Sequence, residues 1–400
     1  MKKTVLFLFP DKFTHFEYCK YELAQLEKKY NLKVIINDLS NLLNNKKLNS
    51  VWKSQRYQKA LFFQSMTRWV RFFNKIKKKD IIILHFSGHI CNFNGFIIKL
   101  CIKLSKKPVF FYKESNPEIK NKKNISWFVS KFCQHNINYK VYFFYLKDYF
   151  FRFLMNFIKC EKNFTLFSDY KNNINDKKNS IVKINFFDYS NSLLFVNSRK
   201  KTKKKYIIYL DDGGPYFTGD THLTGGKLPD YDIKGWYKDL FIFFDKLENY
   251  FNANVIIIPH PKYKSLNKKI KSFNPYFKNH IVNNDSEALG KLSANAFFFI
   301  SIGSLAVAYA VAYNKPVIYM SSSNHTYDIG EKKNLLDQAK LLGCKPFDIV
   351  KLDVNKIHKF LKVNKSKYCD YKYRYLTSKS GKIERKPNYK IIGDFISKQI

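Results

Sequence analysis

Short apolar runs alternate with segments of helical spacing along most of the chain, and this alternation constrains the fold more than any other feature. The first half contains four strand-like runs, "TVLFLF" (4–9), "LKVIIN" (32–37), "IIILHF" (81–86) and "PVFFYKE" (108–114). Between them, residues 16–30 and 94–104 repeat apolar side chains at the spacing of a helix. Strands that alternate with helices predict βαβ units and a parallel sheet.

The second half repeats the alternation. Its strand-like runs are 206–210, 254–261 (ending at His260), 296–301 and 316–321, and helices are predicted at 233–251 and 305–313. The polar stretch 170–204 ends in a Lys-rich run and is predicted to be a linker. The sequence therefore predicts an α/β protein with two Rossmann-like domains, 1–200 and 205–400, which face each other across a cleft. The aromatic segment 125–160 is predicted to be helical.

The charge balance suggests a partner with negative charge. The 400 residues contain 72 Lys and Arg against 31 Asp and Glu, a formal net charge of +41. Such an excess favours anionic lipid surfaces or nucleic acid. Because Lys far outnumbers Arg and no recognition motif is present, we favour the membrane surface. No run is apolar for the roughly 20 residues of a membrane span, and the seven scattered cysteines fit reduced thiols in the cytoplasm.

Three polar clusters follow the predicted strands of the second half. They are Asp211-Asp212, His260 between two prolines, and Ser301 with Ser304 in "FISIGSLAVAYAV". In open α/β sheets, ligands bind beyond the carboxyl ends of the strands. A carboxylate there suits a general base, a rigidly held His suits a phosphate contact, and a strand–turn–helix suits an anion.

Each cluster also has a structural interpretation. One acid can cap a turn, since Asp is common there, and Ser304 can be a helix N-cap. Because a strand points neighbouring side chains to opposite faces, one acid is expected to face the cleft and the other to be structural. His85, His89 and Cys91 could suggest a metal site, but their segment begins in a strand, where helical spacing does not bring them together.

Taken in order, "YIIYLDDGGPYF", "IIIPHPKYK" and "FISIGSLAVAYAVAYNKPVIY" resemble sialyltransferase-type bacterial glycosyltransferases of GT-B fold, as found in capsule and O-antigen gene clusters. The resemblance covers roughly residues 205–325. It implies that the first domain binds the acceptor and the second a nucleotide-sugar donor. Asp211 would be the base, with Asp212 beside it, and His260 would contact the phosphate of the leaving nucleotide. Ser304, with Ser301 nearby, would bind the same phosphate. The other donor-side candidates are Gly303, Pro261, Lys262, Ser321, Ser322, Gly213 and Glu287. Glu287 could reach a ribose or base, although such a residue is more often solvated.

The resemblance also implies the reaction and its partners. We expect an inverting transfer of a nonulosonic acid, a sialic-acid-like sugar or Kdo, from a CMP-sugar to a lipopolysaccharide or capsule acceptor. The enzyme would need no metal or other cofactor and would work as a peripheral protein on the inner face of the inner membrane. Three alternatives stay open: a UDP- or GDP-sugar donor on the same fold, a catalytically inactive relative, and a basic nucleic-acid-binding protein.

Overall fold

A computed structural model describes most of the chain. The described residues are 2–43, 55–76, 81–84, 93–105, 107–113, 150, 153–154, 163–167, 180–196, 205–213, 215–216, 232–263, 274–324 and 329–399. His85, His89 and Cys91, and nearly all of the aromatic segment 125–160, lie outside these residues.

The elements alternate as the sequence predicts. The strands are β1 Thr4–Phe9, β2 Lys33–Asp38, β3 Leu61–Phe62, β4 Ile81–Leu84, β5 Val109–Lys113, β6 Asn163–Phe167, β7 Ser180–Lys183, β8 Lys205–Leu210, β9 Ala253–Ile258, β10 Ile281–Val282, β11 Phe299–Ser301, β12 Val317–Ser321 and β13 Phe347–Asp348. The helices are α1 His15–Lys20, α2 Leu23–Tyr30, α3 Met66–Lys75, α4 Phe93–Leu104, α5 Phe187–Leu194, α6 Ile233–Phe251, α7 Ala288–Ser293, α8 Ala308–Ala312, α9 Ile329–Leu342, α10 Lys365–Tyr371 and α11 Asn388–Gln399. Shorter helical turns span Pro261–Tyr263, Pro275–Phe277, Leu305–Val307, Val354–Phe360 and Lys372–Leu376.

The strands form two sheets in which the described pairs are all parallel. The first sheet has the order β3-β2-β1-β4-β5-β6-β7, and the second has the order β10-β9-β8-β11-β12-β13. In both, the first strand lies inside the sheet and the order reverses beside it, which is the doubly wound pattern of a Rossmann fold. The predicted fold class, two Rossmann-like domains, is confirmed.

Two local predictions differ from the structure. The predicted helix 16–30 is two helices, because Glu22 has a left-handed backbone with φ of 55° that turns the chain between them. The predicted linker 170–204 contains β7 and the buried helix α5, whose Phe187 is fully buried. Because Asn and Lys are frequent in this stretch, its sequence did not predict the strand and the helix that complete the first domain. The charged residues 199–204, where the domain boundary was placed, lie outside the described residues.

Aromatic side chains fill the core of the second domain. Helix α6 begins at the side-chain cap Asp232 and buries Trp236, Leu240 and Phe244 against the face of the sheet that carries Tyr209. The spacing of these residues follows the helical repeat that the sequence shows. This packing fixes α6 beside the carboxyl ends of β8 and β12.

The C-terminal helix α11 packs on the first domain, although the sequence placed residues up to 400 in the second. Tyr389, Ile392 and Ile396 join the core cluster around β1 and α2. The chain therefore crosses between the domains twice, once through α5 and once on the way to α11. The sequence does not predict the second crossing, because the apolar face of an amphipathic helix does not indicate which sheet the helix packs against.

A buried polar network anchors α11. The Glu22 carboxylate, which is fully buried, accepts the backbone N–H of Tyr389 at 2.8 Å and the hydroxyl of Ser190. Ser190 in turn accepts the backbone N–H of Asn388 at 2.6 Å, and Asn388 exchanges two hydrogen bonds of 2.8 Å with the backbone of Asn185. Burial raises the pKa of Glu22 to about 7, although its bonds to Ser190 and Tyr389 oppose the shift.

Glu22→Gln is expected to flatten the pH dependence of stability. A carboxyl group whose folded pKa is raised stabilises the protein fully below its unfolded pKa, and that stability is lost as pH rises through the folded pKa. For Glu22 this window runs from the ordinary value of 4.5 to about 7, and it corresponds to about 3 kcal/mol at 1.36 kcal/mol per pKa unit. Denaturant unfolding between pH 4.5 and 8 measures it. A variant curve parallel to that of the wild type would contradict the assignment.

Candidate functional site

The three strand-end clusters meet at the reversal point of the second sheet. β8 lies between β9 and β11, and register aligns Leu210 with Ile258 on one side and Ser301 on the other. Asp211 follows β8 directly, and His260 follows the end of β9 after one intervening residue. Since neighbouring strands are about 4.8 Å apart, the clusters share one edge within roughly 10 Å. This is where doubly wound sheets bind ligands.

Asp211 is buried and holds the loop that follows β8. Asp211 is 4% exposed, and its carboxylate accepts the backbone N–H of Gly213 at 3.0 Å. This bond closes an Asx turn, for which Gly213 takes a φ of 91°. The carboxylate also accepts the backbone N–H of His260, and burial raises the pKa of Asp211 to about 7. Asp211 therefore connects the ends of β8 and β9.

Asp212 is half-buried and therefore less buried than Asp211. Both carboxylates lie close to the phenol of Tyr237 on α6. Burial, and then the charges of Asp211 and Asp212, raise the pKa of Tyr237 well above its ordinary value. The two acids thus share one locally negative site with a neutral phenol.

Tyr237 also holds the acidic loop from the other side. Its hydroxyl oxygen accepts the side-chain N–H of Asn274 at 2.6 Å and the backbone N–H of Tyr216. Its ring stacks on Tyr276 with centroids 4.4 Å apart. Tyr237 and Asn274 did not stand out in the sequence, because Tyr237 has the spacing of a core residue of α6 and Asn274 lies in a polar stretch. The only indication in the sequence is that Tyr237 lies on the predicted helix that follows Asp211 and Asp212.

His260 is half-buried at the end of β9, between Pro259 and Pro261. Pro261 opens the short helical turn Pro261–Tyr263, in which the Tyr263 N–H donates to the His260 carbonyl at 2.9 Å. The His260 and Tyr263 rings lie 5.8 Å apart. The backbone of His260 is therefore fixed on both sides, by Asp211 and by the turn. The backbone of Lys262 lies in the same turn.

Ser301 shapes the turn after β11. Its hydroxyl oxygen accepts the backbone N–H groups of Gly303 and Ser304 at 3.1 and 3.0 Å. Ser304 is half-buried and caps the next turn by accepting the Ala306 N–H at 3.3 Å. The N-cap interpretation of Ser304 therefore matches the geometry. The helix after the turn is short, since Leu305–Val307 leads into α8 of five residues.

Gly303 is needed for its backbone shape. Its φ is 134°, and a Cβ atom there would lie 3.2 Å from the side-chain nitrogen of Asn334. Its carbonyl accepts the side-chain N–H groups of Asn334 at 3.3 Å and Gln338 at 2.5 Å. Asn334 and Gln338 lie one helical turn apart on α9, and their hydrogen bonds stabilise the loop at Gly303. Neither residue stood out in the sequence, where both belong to an ordinary polar helix.

Ser321 and Ser322 at the end of β12 bond to the protein itself. The Ser321 hydroxyl donates to the Phe347 carbonyl at 3.2 Å, and the Ser322 hydroxyl donates to Asp239 of α6 at 3.2 Å. Asn324 also donates to Asp239, at 2.9 Å. These bonds tie the β12 loop to α6. Asp239, which the sequence did not mark, is the acceptor of both.

Glu287 follows β10, which is two strands away from β8 in the second sheet. It precedes α7 and forms an ion pair of 3.1 Å with Lys291, which also binds Asp285 at 2.7 Å. Glu287 borders a narrow crevice between the two domains, opposite Phe16 and Lys20 of α1. The structure thus brings Asp211, Asp212, Gly213, His260, Ser301, Gly303 and Ser304 together at one sheet edge and leaves Glu287 at the domain interface.

The part of the chain that the structure describes holds neither a cluster of metal ligands nor a membrane-spanning helix. Within the described residues, no three His, Cys, Asp or Glu side chains gather as a metal site. Among the helices built from those residues, none has both the length and the apolar character needed to cross a bilayer.

The chain matches no known family model and no curated protein at a significant level. Solved structures do match. A variant of the wall teichoic acid polymerase TagF is 12% identical with a TM-score of 0.51, covering 100% of this chain and 89% of that one. MurG of Acinetobacter baumannii is 12% identical over 99% of both chains, with a TM-score of 0.41. The UDP-GlcNAc 2-epimerase of Methanocaldococcus jannaschii is 14% identical, covers 99% and 100%, and scores 0.45. The similarity to TagF shows the fold, two Rossmann-like domains of the GT-B type.

Proposed function

We propose that the chain is a glycosyltransferase that takes a sugar from a nucleotide donor at the β8–β11 reversal point. The observation that carries the proposal is the placement of an acid pair, a rigidly held His and a Ser-Gly turn on three adjacent strand ends. The site needs an acid–base group for the acceptor hydroxyl and groups for the nucleotide phosphate, and these residue types supply both.

Asp212 is the proposed base. The resemblance assigns that role to Asp211, but a base must come within hydrogen-bond reach of the hydroxyl it deprotonates. Asp211 is 4% exposed and binds the backbone of Gly213 and His260. Those contacts suit a positioning residue that sets the distance between the β8 and β9 loops. Asp212, which is more exposed, takes the hydroxyl proton as the acceptor oxygen attacks the anomeric carbon.

His260 is the proposed contact for the leaving phosphate. The adjacent prolines and the Asp211 carboxylate fix its backbone, so little backbone freedom is lost on binding. As an imidazolium it neutralises charge that builds on the phosphate oxygen as the glycosidic bond breaks. Ser304, half-buried at the β11 turn, is the second proposed phosphate contact, and Ser301 and Gly303 shape that turn.

We propose a cytidine nucleotide as the carrier. The motif resemblance supports a CMP-linked nonulosonic acid and a polysaccharide or lipopolysaccharide acceptor at the inner membrane. A second candidate is a CDP-linked donor, because another TagF structure, which also matches with a TM-score of 0.51, was soaked with CDPG. UDP- and GDP-sugars are the remaining alternatives for the same site.

A thermal-shift screen with CMP, CDP, UDP and GDP tests the carrier. A ligand at one hundred times its Kd adds about 2.7 kcal/mol to the stability of the state that binds it, so the preferred nucleotide raises Tm by several degrees. We expect CMP or CDP to stabilise the wild type. A shift with UDP or GDP and none with the cytidine nucleotides would move the proposal to those donors. A shift with none of the four would count against a nucleotide site.

A further inference from the structure

Helix α4 of the first domain carries apolar side chains on two opposite sides. Gly95, Ile98 and Ile102 are buried, and the two isoleucines pack with Trp69 in one core cluster. On the other side, Phe93 is 63% exposed and Leu104 is 71% exposed. When one side of a helix is packed in the core and its opposite side is also apolar, the second side is best placed in another apolar environment. Water is therefore an unfavourable neighbour for the outer side of α4.

The outer residues form a continuous stripe. Phe93, Ile97, Leu100 and Leu104 follow one another at intervals of four, three and four residues. At 3.6 residues per turn they lie within about 60° of arc, and the stripe is roughly 17 Å long at 1.5 Å per residue. Leu100 is 36% exposed and Ile97 is half-buried. The stripe has the length and width of an interfacial helix face.

Basic side chains accompany the stripe on helices α3 and α4. Arg68, Arg71 and Lys75 are exposed on the neighbouring helix α3, and α4 contributes Lys99 and Lys103. Neither helix contains Asp or Glu. The two helices share one face of the first sheet, since Trp69 and Phe73 of α3 belong to the same core cluster as Ile98. Their C-terminal ends adjoin, because Lys107 just after α4 donates to the Ile76 carbonyl just after α3 at 3.2 Å.

We propose that this basic apolar face, formed by the α4 stripe and the exposed basic residues of α3, docks on an anionic lipid bilayer. The apolar stripe enters the boundary between headgroups and acyl chains, and the basic residues contact lipid phosphates. A second copy of the chain is a poorer occupant, since a twofold contact would place the same basic residues opposite each other.

The orientation fits a membrane-bound acceptor. Phe93 lies at the end of α4 that follows the carboxyl end of β4, and Rossmann-like sheets bind ligands at that edge. A bilayer against the stripe would therefore reach the ligand-binding edge of the acceptor domain. This point of orientation rests on the proposed function, whereas the docking itself does not.

Co-sedimentation of the full chain with phosphatidylglycerol vesicles tests the proposal. The double variant Phe93→Asn/Leu104→Asn removes the two most exposed residues of the stripe, and neither change touches the core. The matched control is Ile242→Asn/Leu336→Asn, which alters apolar residues of the second domain that are 44% and 48% exposed. Binding is measured at low salt and at 0.5 M NaCl, because a net charge of +41 attracts anionic vesicles non-specifically and salt screens that term.

We expect the wild type and the control to keep salt-resistant binding and the stripe variant to bind at least tenfold more weakly. Arg71→Glu/Lys75→Glu should lower the preference for phosphatidylglycerol over phosphatidylcholine. Equal binding of stripe variant and control would overturn the proposal, as would a wild type that ignores vesicles. A wild-type dimer that the stripe variant converts to monomer would assign the face to a second copy. If the double variant does not fold, the single variant Leu104→Asn tests the same points. The thermal shift with nucleotide should be the same in the stripe variant and the wild type. A lost shift would indicate a failed donor site and not a loss of membrane binding.

Discussion

His260→Ala is expected to lower the rate of sugar transfer by about a thousandfold, within the range that acid–base and phosphate contacts supply. The ring is half-buried at the end of β9, and its removal leaves the Asp211 bond to the backbone in place. The loss should therefore appear in kcat while Tm changes little. Nucleotide release from the donor identified by the thermal-shift screen measures the rate.

His358→Ala is the matched control for this prediction, because His358 is exposed in the turn Val354–Phe360, away from the strand ends. It should keep the wild-type rate. A His260→Ala variant that transfers sugar as fast as the control would remove His260 from the chemistry. Full activity at high pH in the wild type, where imidazole is neutral, would mean that the ring acts by hydrogen bonding and not by charge.

The second large effect separates the two acids. Asp212→Asn is expected to lower the transfer rate by roughly a hundredfold to a thousandfold with little loss of stability, because an amide cannot take the hydroxyl proton. Asp211→Asn should keep the rate within about tenfold, since an amide oxygen can still accept the N–H groups of Gly213 and His260. Asp245→Asn, at an exposed position of α6, is the control.

The pH dependence of stability gives an independent readout for Asp211. Its folded pKa is raised from 3.8 to about 7, so the stability it contributes is complete below pH 3.8 and is lost as pH rises towards and through 7. Asp211→Asn should flatten this part of the curve. If Asp211→Asn abolished transfer while Asp212→Asn retained it, the roles would be the reverse of those proposed.

Much of the fold follows from patterns that depend on local sequence. Strand β1, β8 and helix α6 coincide with predicted segments, because buried strands need continuous apolar runs and α6 needs one apolar face. Elements whose position depends on residues far away in the sequence could not be predicted. The α11 helix and the buried Glu22 network are set by residues more than 150 positions apart, and no local pattern marks such contacts.

The site divides in the same way. The sequence marked Asp211, His260 and Ser301 because polar residues directly after apolar strands are unusual and local. It did not mark Tyr237 or Gln338, which hold the acidic loop and the Gly303 turn from neighbouring helices. Their side chains act through tertiary contacts, and in sequence they are typical of a helix. Strand geometry also predicts that one of the two acids faces the cleft and the other is structural, and this stays a prediction.

The measurement that tests the central claim most directly is nucleotide release by the wild-type chain from CMP-, CDP-, UDP- and GDP-linked donors, with His260→Ala measured beside it. The proposed function predicts release from a cytidine-linked donor by the wild type and the His358→Ala control, and a loss of about a thousandfold in His260→Ala. Release from none of the four donors, by a folded wild-type chain supplied with acceptor lipid, would contradict it.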